Sequence, residues 1–578
     1  MDNREIADIF DELADLLEFK NENPFRVRAY RNGARAIRDL DESVAAIIDD
    51  PDRNLADLPG IGDTLAEKSA TLLAEGKLPQ LESLRKEVPA SVLQMVRVPG
   101  LGAKKAAALH KELGIENLQQ LRQACESQRV RKLKGFGAKT EEAILHGLQI
   151  AESAAQRLPW ADADVIVQAL IAHLKANKAV QRIEPAGSYR RGKETVGDLD
   201  LLVIASDRDA AMDQLESFPQ RTATILRGEE KKTKMSIRVG EAFQVDMRLV
   251  DQDQFGAALV YFTGSKAHNV RIRSIAKKRG LKVNEYGVFR DAEEPENRIA
   301  GKTEADVYAA LDLPVFPPEL REDRLEFDWA ARDPRPELIV ADQILGDLHM
   351  HTTASDGQAT IREMADAAIE RGLQYIAITD HSQRVSMARG LNPERLLAQW
   401  ETIDEIRKEY KGRLTILKGI ECDILERGGM DLPDDVLAQA DWVLASIHYG
   451  QKQPREQITE RMLGAIHHPH VTAIAHPTGR LIGRRPPYEI DMDAVFQAAK
   501  KTGTLLELNA NPARLDLHDI HCATAKRLGI PIVINTDAHS THGLDVMRYG
   551  IVQARRGGLT AADVANTRTW KKFPKKPK

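Results

Sequence analysis

Residues 344–357, ILGDLHMHTTASDG, decide the fold of the last two-fifths of this chain. An apolar opening runs into three side chains that bind metals, His349, His351 and Asp356. The pattern then repeats. YIAITDHS (375–382) ends in His381, LTILKGIECDI (414–424) carries Glu421, and WVLASIHYG (442–450) leads to His448. VTAIAHP (471–477) leads to His476, and IPIVINTDAHS (530–540) to Asp537 and His539. Repeated strand-then-ligand units imply a barrel whose strands deliver these side chains to one rim. In such barrels the C-terminal ends of the strands are where chemistry is placed.

Twelve of the sixteen histidines follow residue 348, where even spreading would put about six. Taken singly, each reads as readily as a buried, hydrogen-bonded core residue. Nine ligands at the ends of apolar runs do not. Asp347, His349 and His351 alternate on an extended segment and share one face. His467, His468, His470, His518, His521 and His542 lack the strand-end context and read as surface or capping residues. Imidazole and carboxylate without thiolate suit zinc, manganese or iron. Nine ligands exceed the needs of one ion, so two or three are expected, with Glu421 as the bridging carboxylate. Clustered divalent ions favour hydrolysis of phosphate esters.

HxH with a following Asp, then TDH, a mid-domain Glu, two isolated histidines and a closing DAH resemble the motifs of the PHP (polymerase and histidinol phosphatase) domain. The resemblance spans residues 341–570 and implies a distorted (β/α)7 barrel with a trinuclear site. Members of that family are phosphomonoesterases or nucleases, so the rest of the chain must indicate the substrate.

At 578 residues the chain is too long for one core. With 29% charged residues and no apolar run of transmembrane length, a soluble protein without a membrane partner is expected. MDNREIADIF is unlike a secretory signal. Cys125, Cys422 and Cys522 form no disulfide framework, which fits a cytoplasmic location. The net charge of -5 carries no global sign of nucleic acid, so any such surface must be local. The ending RTWKKFPKKPK (568–578) is basic, and residues 571–578 read as a solvated tail.

Residues 1–150 carry apolar positions at helical spacing, as in IADIFDELADLL. Three glycine signatures interrupt them: LPGIGDTLAEK (58–68), VPGLGAKKAAALH (98–110) and LKGFGAKTEEAIL (133–145). Gly60 and Gly62, Gly100 and Gly102, and Gly135 and Gly137 permit tight turns whose amides, with the following helix N-terminus, suit a backbone phosphate. Three such units resemble helix-hairpin-helix motifs, which hold DNA without reading its sequence. NPFRVRAYRNGARAI (23–37) before the first hairpin resembles the N-terminal domain of family X DNA polymerases. There a lysine attacks an abasic 5′ end as a Schiff-base nucleophile, and Lys68 matches its position. Arg26, Arg28, Arg31 and Arg35 are placed to lower its pKa. Asp63 and Thr64 stand where lyase-competent relatives are basic, so 5′-phosphate binding is the leading role.

In IEPAGSYRRGKETVGDLDLLVI (183–204) a helix is expected to end, a Gly-Ser turn to follow and a strand to begin. Asp198 and Asp200 then share a strand face opposite Leu199 and Leu201. AFQVDMRLV (242–250) offers Asp246 as a third carboxylate if the two strands are neighbours. A bare DxD pair is as readily a solvated loop. Three hard oxygen ligands suit Mg²⁺ or Mn²⁺ and two-metal nucleotidyl transfer. GSYRRGKETVGDLDLLV is similar to the nucleotidyltransferase opening of family X polymerases. That likeness implies that Gly187, Ser188 and Arg191 meet the incoming triphosphate, for which guanidinium is suited. YFTGSKAHNVRIR (261–273) resembles the nucleotide-binding segment. It implies Tyr261, Phe262 and Gly264 at the sugar, Asn269 at the base edge and Arg273 at the template, with Arg248 orienting Asp246. Lys266 and His268 depart from other branches and put nucleotide selectivity in doubt.

The whole resembles a bacterial or archaeal family X DNA polymerase with a C-terminal PHP domain. The expected layout is an all-α helix-hairpin-helix region, an α+β palm and thumb, and the PHP barrel. Boundaries fall at 1–85 (end-binding), 86–152 (fingers-like), 153–258 (palm), 259–318 (thumb-like), 319–340 (a Pro- and charge-rich linker, partly flexible) and 341–570 (PHP). The expected work is filling of gapped or nicked double-stranded DNA from deoxynucleoside triphosphates by a monomer. The barrel would act as a 3′–5′ exonuclease or cut at abasic sites. The alternatives are a barrel that is a phosphatase or a structural module, and an end-binding scaffold without catalysis.

Overall fold

The computed structural model describes the chain apart from residues 2, 21, 41, 89–94, 96, 97, 99, 100, 156, 229–232, 241, 242, 291–293 and 575–578. Gly100 and the end of the basic tail therefore lie outside the described residues. The chain divides into two compact units, Met1–Arg157 and Leu158–Lys578.

The first unit is helical. Asn3–Phe19 buries Ile6, Phe10, Leu13 and Leu17 along one stripe, the spacing that places side chains one above another on a helix. Pro24–Asp39 packs beside it, opened by Asn23, whose side chain accepts from Phe25 N. The glycine signatures are tight turns. Gly60, Gly102 and Gly135 have φ of 89°, 65° and 88°, a region that costs any residue with a Cβ. The apolar residue between each glycine pair turns inward: Ile61, Leu101 and Phe136 are all buried. The helices Asp63–Glu75, Gly102–Leu113 and Ala138–Ala155 follow.

The second unit opens with a five-stranded sheet. Its spatial order is Val180–Pro185, Asp198–Ala205, Phe243–Leu249, Lys234–Val239 and Arg221–Arg227. The Gly-Ser turn thus follows a strand rather than a helix. The helix Trp160–Lys175 has already ended, and the intervening residues pair antiparallel with Asp198–Ala205. The helices Phe255–Thr263 and Lys266–Lys278 and a three-stranded antiparallel sheet (Leu281–Asn284, Gly287–Arg290, Arg298–Ala300) come next.

Seven parallel strands then run in chain order: Gly346–Asp347, Tyr375–Ile378, Thr415–Asp423, Trp442–Ser446, Ala473–Ile474, Leu505–Asn509 and Ile532–Asn535. A parallel bridge between Met350 and Ala538 draws the last segment back to the first, giving the distorted (β/α)7 barrel.

Residues 319–340, whose composition suggests a flexible connection, include an ordered turn and a short helix. Several of their charges go into internal pairs, while Arg332, Asp333 and Arg335 stay exposed. Arg321, fully buried, donates to Glu304 and to the Phe316 carbonyl. Glu326, also fully buried, accepts from the Asp323 and Arg324 amides.

Candidate metal centres

The barrel brings all nine expected ligands to one rim. Three groups of atoms are close enough to hold an ion: His351, Asp356, His381 and His539; His349, His351 and Glu421; and His381, Glu421 and His448. Glu421 belongs to two of them. His476 Nε2 lies 3.0 Å from Glu421 Oε1, and Asp537 Oδ1 lies 3.2 Å from His351 Nε2 and 3.4 Å from His349 Nε2. Burial alone would raise the Glu421 carboxyl, but His448, His381 and His349 hold it well below the usual carboxylate range. Burial likewise opposes the charge on His381, yet Glu421 and Asp356 push it up to about 10.

The donor set fits bound metal. His349 Nε2, His351 Nδ1, His381 Nδ1, His476 Nδ1 and Glu421 Oε2 are buried with no hydrogen-bond partner, an arrangement that costs free energy unless something satisfies it. His381 Nδ1 and Glu421 Oε2 are 2.8 Å apart but outside hydrogen-bonding geometry. His476 and Asp537 have positive φ, 30° and 57°, local strain of the kind that clusters at functional sites.

An outer layer is also present, and much of it was not read from the sequence. Glu507, buried in the sixth strand, lies 2.7 Å from His349 Nδ1 and accepts from Asn535 Nδ2 and His476 N. Asp423 accepts from His448 N and lies 3.2 Å from its Nδ1. Such partners fix ring orientation and tautomer. Arg514 Nε stands 3.5 Å from Asp537 Oδ2. Asp347, on the face predicted to present it, accepts from Thr536 Oγ1 and the His349 amide. Among the remaining histidines, His518 caps the helix Asp519–Leu528.

Gly357 is pressed against this layer: a Cβ there would fall 2.5 Å from the His351 carbonyl carbon and oxygen. Backbone cannot yield cheaply. Gly357→Ala should cost about 1–3 kcal/mol of stability and displace His351. A lowered unfolding midpoint together with a loss of bound metal is the expected result.

In the palm the two carboxylate strands are parallel neighbours, with Asp200 paired with Asp246 and Asp198 with Gln244. Asp246 accepts from Gln244 Nε2 at 3.0 Å and lies 3.3 Å from Lys234 Nζ. Burial first, then the charges of Asp198 and Asp246, push the Asp200 carboxyl up to about 7. The three carboxylates lie on neighbouring strands and interact through their charges, the hard oxygen donors that suit a divalent cation. Gly187 (φ 62°) leaves room beside them, since a Cβ there would meet Asp200 Oδ2 at 3.0 Å. Arg248 rests over the Phe262 ring, 4.1 Å from its centroid. Its Nε has no hydrogen-bond partner, and its charge acts on Asp200 from beside the cluster, where Gln244 and Lys234 are the neighbours of Asp246.

Ser188 sits on the short turn Gly187–Arg190. Arg191 next to it donates through Nε to Glu322 (3.1 Å) and through Nη1 to the Thr263 carbonyl. Gly264 (φ 68°) approaches the same guanidinium. Tyr261 and Phe262 meet edge to face at 5.1 Å, Asn269 Nδ2 donates to the Tyr261 carbonyl, and Arg273 Nε donates to the Asn269 carbonyl. His268 is fully buried, 2.8 Å from Glu326 and 3.0 Å from the Tyr308 hydroxyl. It packs inside the thumb, against Phe316 and Phe327. In the first unit Lys68 Nζ donates to Gln80 Oε1. Burial and Arg26 lower its pKa, whereas Arg31 is engaged by Asp15 and Glu18.

Family models match in the same order as these parts. A helix-hairpin-helix domain covers residues 1–78, and a SAM-like helix-hairpin-helix tandem covers 92–149. The DNA polymerase beta palm covers 157–244, the DNA polymerase beta thumb 258–322 and the PHP domain 347–511. The fold and its two clusters thus define a polymerase of the beta type joined to a PHP domain. The chain is 44% identical over 574 residues to the DNA polymerase/3'-5' exonuclease PolX of Bacillus subtilis (strain 168), covering 99% of this chain and 98% of that protein. It belongs to the family X DNA polymerases that carry a C-terminal PHP domain. Over 38% of this chain it is also 31% identical to a probable phosphatase of Thermoanaerobacter sp. (strain X514), covering 89% of that protein. Over 33% of this chain it is 33% identical to a probable phosphatase of Acetivibrio thermocellus, covering 78% of that one. Among the described residues no helix is long and apolar enough to cross a membrane.

Proposed function

We propose that this protein fills short gaps in duplex DNA and that its barrel trims 3′ ends of the same substrate, with abasic-site cleavage as a further duty of the barrel. The observation that carries the reading is that a three-carboxylate strand pair and a nine-ligand rim occur in one folded unit. Asp198, Asp200 and Asp246 are the residues to hold Mg²⁺ or Mn²⁺. The nine rim ligands are those to hold two or three Mn²⁺, Zn²⁺ or iron ions. Ions so held activate a nucleophile and stabilise developing charge on phosphoryl oxygens. The chain's own residues orient the reactants: Arg191 and Ser188 take the triphosphate, Tyr261, Phe262 and Gly264 the sugar, Asn269 the base edge and Arg273 the template. The glycine turns hold backbone phosphates on a monomeric enzyme. The Bacillus subtilis relative's name supports both activities.

The test is a 5′-labelled primer on gapped DNA with Mn²⁺ and no nucleotides, comparing the wild type with His349→Ala. Shortening that vanishes in the variant supports a nuclease. An unshortened primer with the wild type moves the barrel to the second reading, a phosphatase, which the probable-phosphatase relatives favour.

Lys68 is assigned to binding a 5′ phosphate, with Arg26 as a second cation nearby, because Asp63 and Thr64 stand where lyase-competent relatives are basic. Borohydride reduction on DNA with an abasic 5′ end should leave no covalent adduct with this protein. An adduct lost in Lys68→Ala would make it a lyase nucleophile instead.

A further inference from the structure

The turn Gly187–Arg190 and the residues after it are held from outside the palm. Gly192, at φ 63°, is so close to the barrel helix Met547–Arg556 that a Cβ would fall 2.1 Å from Val552 Cγ1. Arg556, 2% exposed, donates through Nη1 to the Arg191 carbonyl at 2.8 Å and to Glu322 Oε1 at 3.1 Å. Its Nη2 donates to Asp519 Oδ2 at 2.7 Å. Glu322 Oε1 is also the acceptor for Arg191 Nε. Farther along, Glu194 is bound by Arg480 at 2.8 Å. One guanidinium on the barrel therefore grips both the backbone of Arg191 and the carboxylate that orients its side chain.

We propose that Arg556 is a positioning residue for DNA synthesis, setting Arg191 for the incoming nucleoside triphosphate from the PHP side of the molecule. The proposal rests on Arg191 being a triphosphate contact. The physical reason lies in shared charge. Glu322 divides its attraction between Arg556 and Arg191, with Lys193 3.8 Å away. Without Arg556 the carboxylate is left chiefly to Arg191, which competes with the phosphates for the same guanidinium. The backbone turn also loses its outer support, and small displacements of a charge clamp weaken substrate placement strongly. The triphosphate contact set by Arg556 is made alike in the ground and transition states, and loss of such uniform binding raises KM with kcat little changed. On this account the PHP domain serves synthesis through its outer surface, independently of its rim.

The experiment measures single-nucleotide insertion on gapped DNA with the full chain, for wild type, Arg556→Gln, Arg556→Lys, Arg191→Ala and the Arg191→Ala/Arg556→Gln and Arg191→Ala/Arg556→Lys pairs. Arg556→Gln should raise the KM for the nucleotide about tenfold with kcat changed less than about threefold. Arg556→Lys, keeping the charge without the planar fork, should fall between. In the Arg191→Ala background either Arg556 substitution should add little, because coupled residues are not additive. If Arg556→Gln does not fold, Arg556→Lys and its pair carry the same comparison. A full additional effect in the Arg191→Ala background, or an unchanged KM in the folded Arg556 variants, overturns the proposal while leaving Arg191 as a nucleotide contact. An unchanged KM in Arg191→Ala alone sinks the reading of Arg191 and the proposal with it.

Discussion

Glu421→Gln is expected to abolish primer shortening in Mn²⁺ while nucleotide insertion by the same preparation stays near the wild-type rate. Removing an outer partner of a metal ligand already costs about 10–100-fold in metal affinity or activity. Glu421 is the centre of the cluster, shared between two of the three candidate groups and within 3.0 Å of His476. The loss in shortening should therefore exceed about a hundredfold. Gln keeps the shape but removes the charge that offsets the surrounding imidazoles, and it presents one acceptor oxygen where the carboxylate presents two. Metal analysis of the purified variant should show fewer ions bound per chain than in the wild type. Shortening that persists at the wild-type rate with full metal content would remove Glu421 from the centre of the chemistry.

The candidate ligands were legible because they recur at the ends of apolar runs, and strand ends at one barrel rim converge whatever lies between them. Their outer layer was not. Glu507 sits in LLELN, which reads like any buried strand with one charged position. Its task becomes visible only when the sixth strand is placed under His349. The DxD strand was equally readable, since a period of two fixes which carboxylates share a face. Whether Asp246 joins them depends on strand order, and the parallel pairing brings together segments far apart in the chain. Lys234 beside Asp246 and Glu322 beside Arg191 carried no local signal. In the stretch around 319–340, Pro and charge suggested flexibility from composition. The burial of Arg321 and Glu326 was hidden there, because a paired charge in a core looks the same in sequence as a charge in water.

Asp200→Asn should affect the palm in two opposite ways, abolishing nucleotide insertion while raising stability in metal-free buffer. Insertion should fall by more than about a thousandfold, the scale on which removal of one preorganised electrostatic group acts at a reacting centre. Primer shortening at the barrel should persist. The stability effect follows from linkage. The folded carboxyl titrates at about 7 instead of its ordinary 3.8. Below about pH 4 both folded and unfolded chains hold this proton, and the group contributes nothing. Between about pH 4 and pH 7 the unfolded chain has released the proton while the folded chain retains it. Stability therefore declines across that window, and the deficit is complete above the folded pKa. A shift of this size corresponds to at most about 4 kcal/mol, and less in practice, because Asp198 and Asp246 share in the titration. Asn carries no charge at any of these pH values. In EDTA at pH 8 the variant should unfold at a higher temperature than the wild type, with the gap closing towards pH 4. Added Mg²⁺ should stabilise the wild type more than the variant, because binding to the folded state raises a midpoint and the variant keeps only the rim ligands intact. A variant that melts below the wild type at pH 8 without metal would mean that the three carboxylates are not in electrostatic conflict. An equal gain from Mg²⁺ in wild type and variant would mean that Asp200 adds nothing to the ion binding that stabilises the fold.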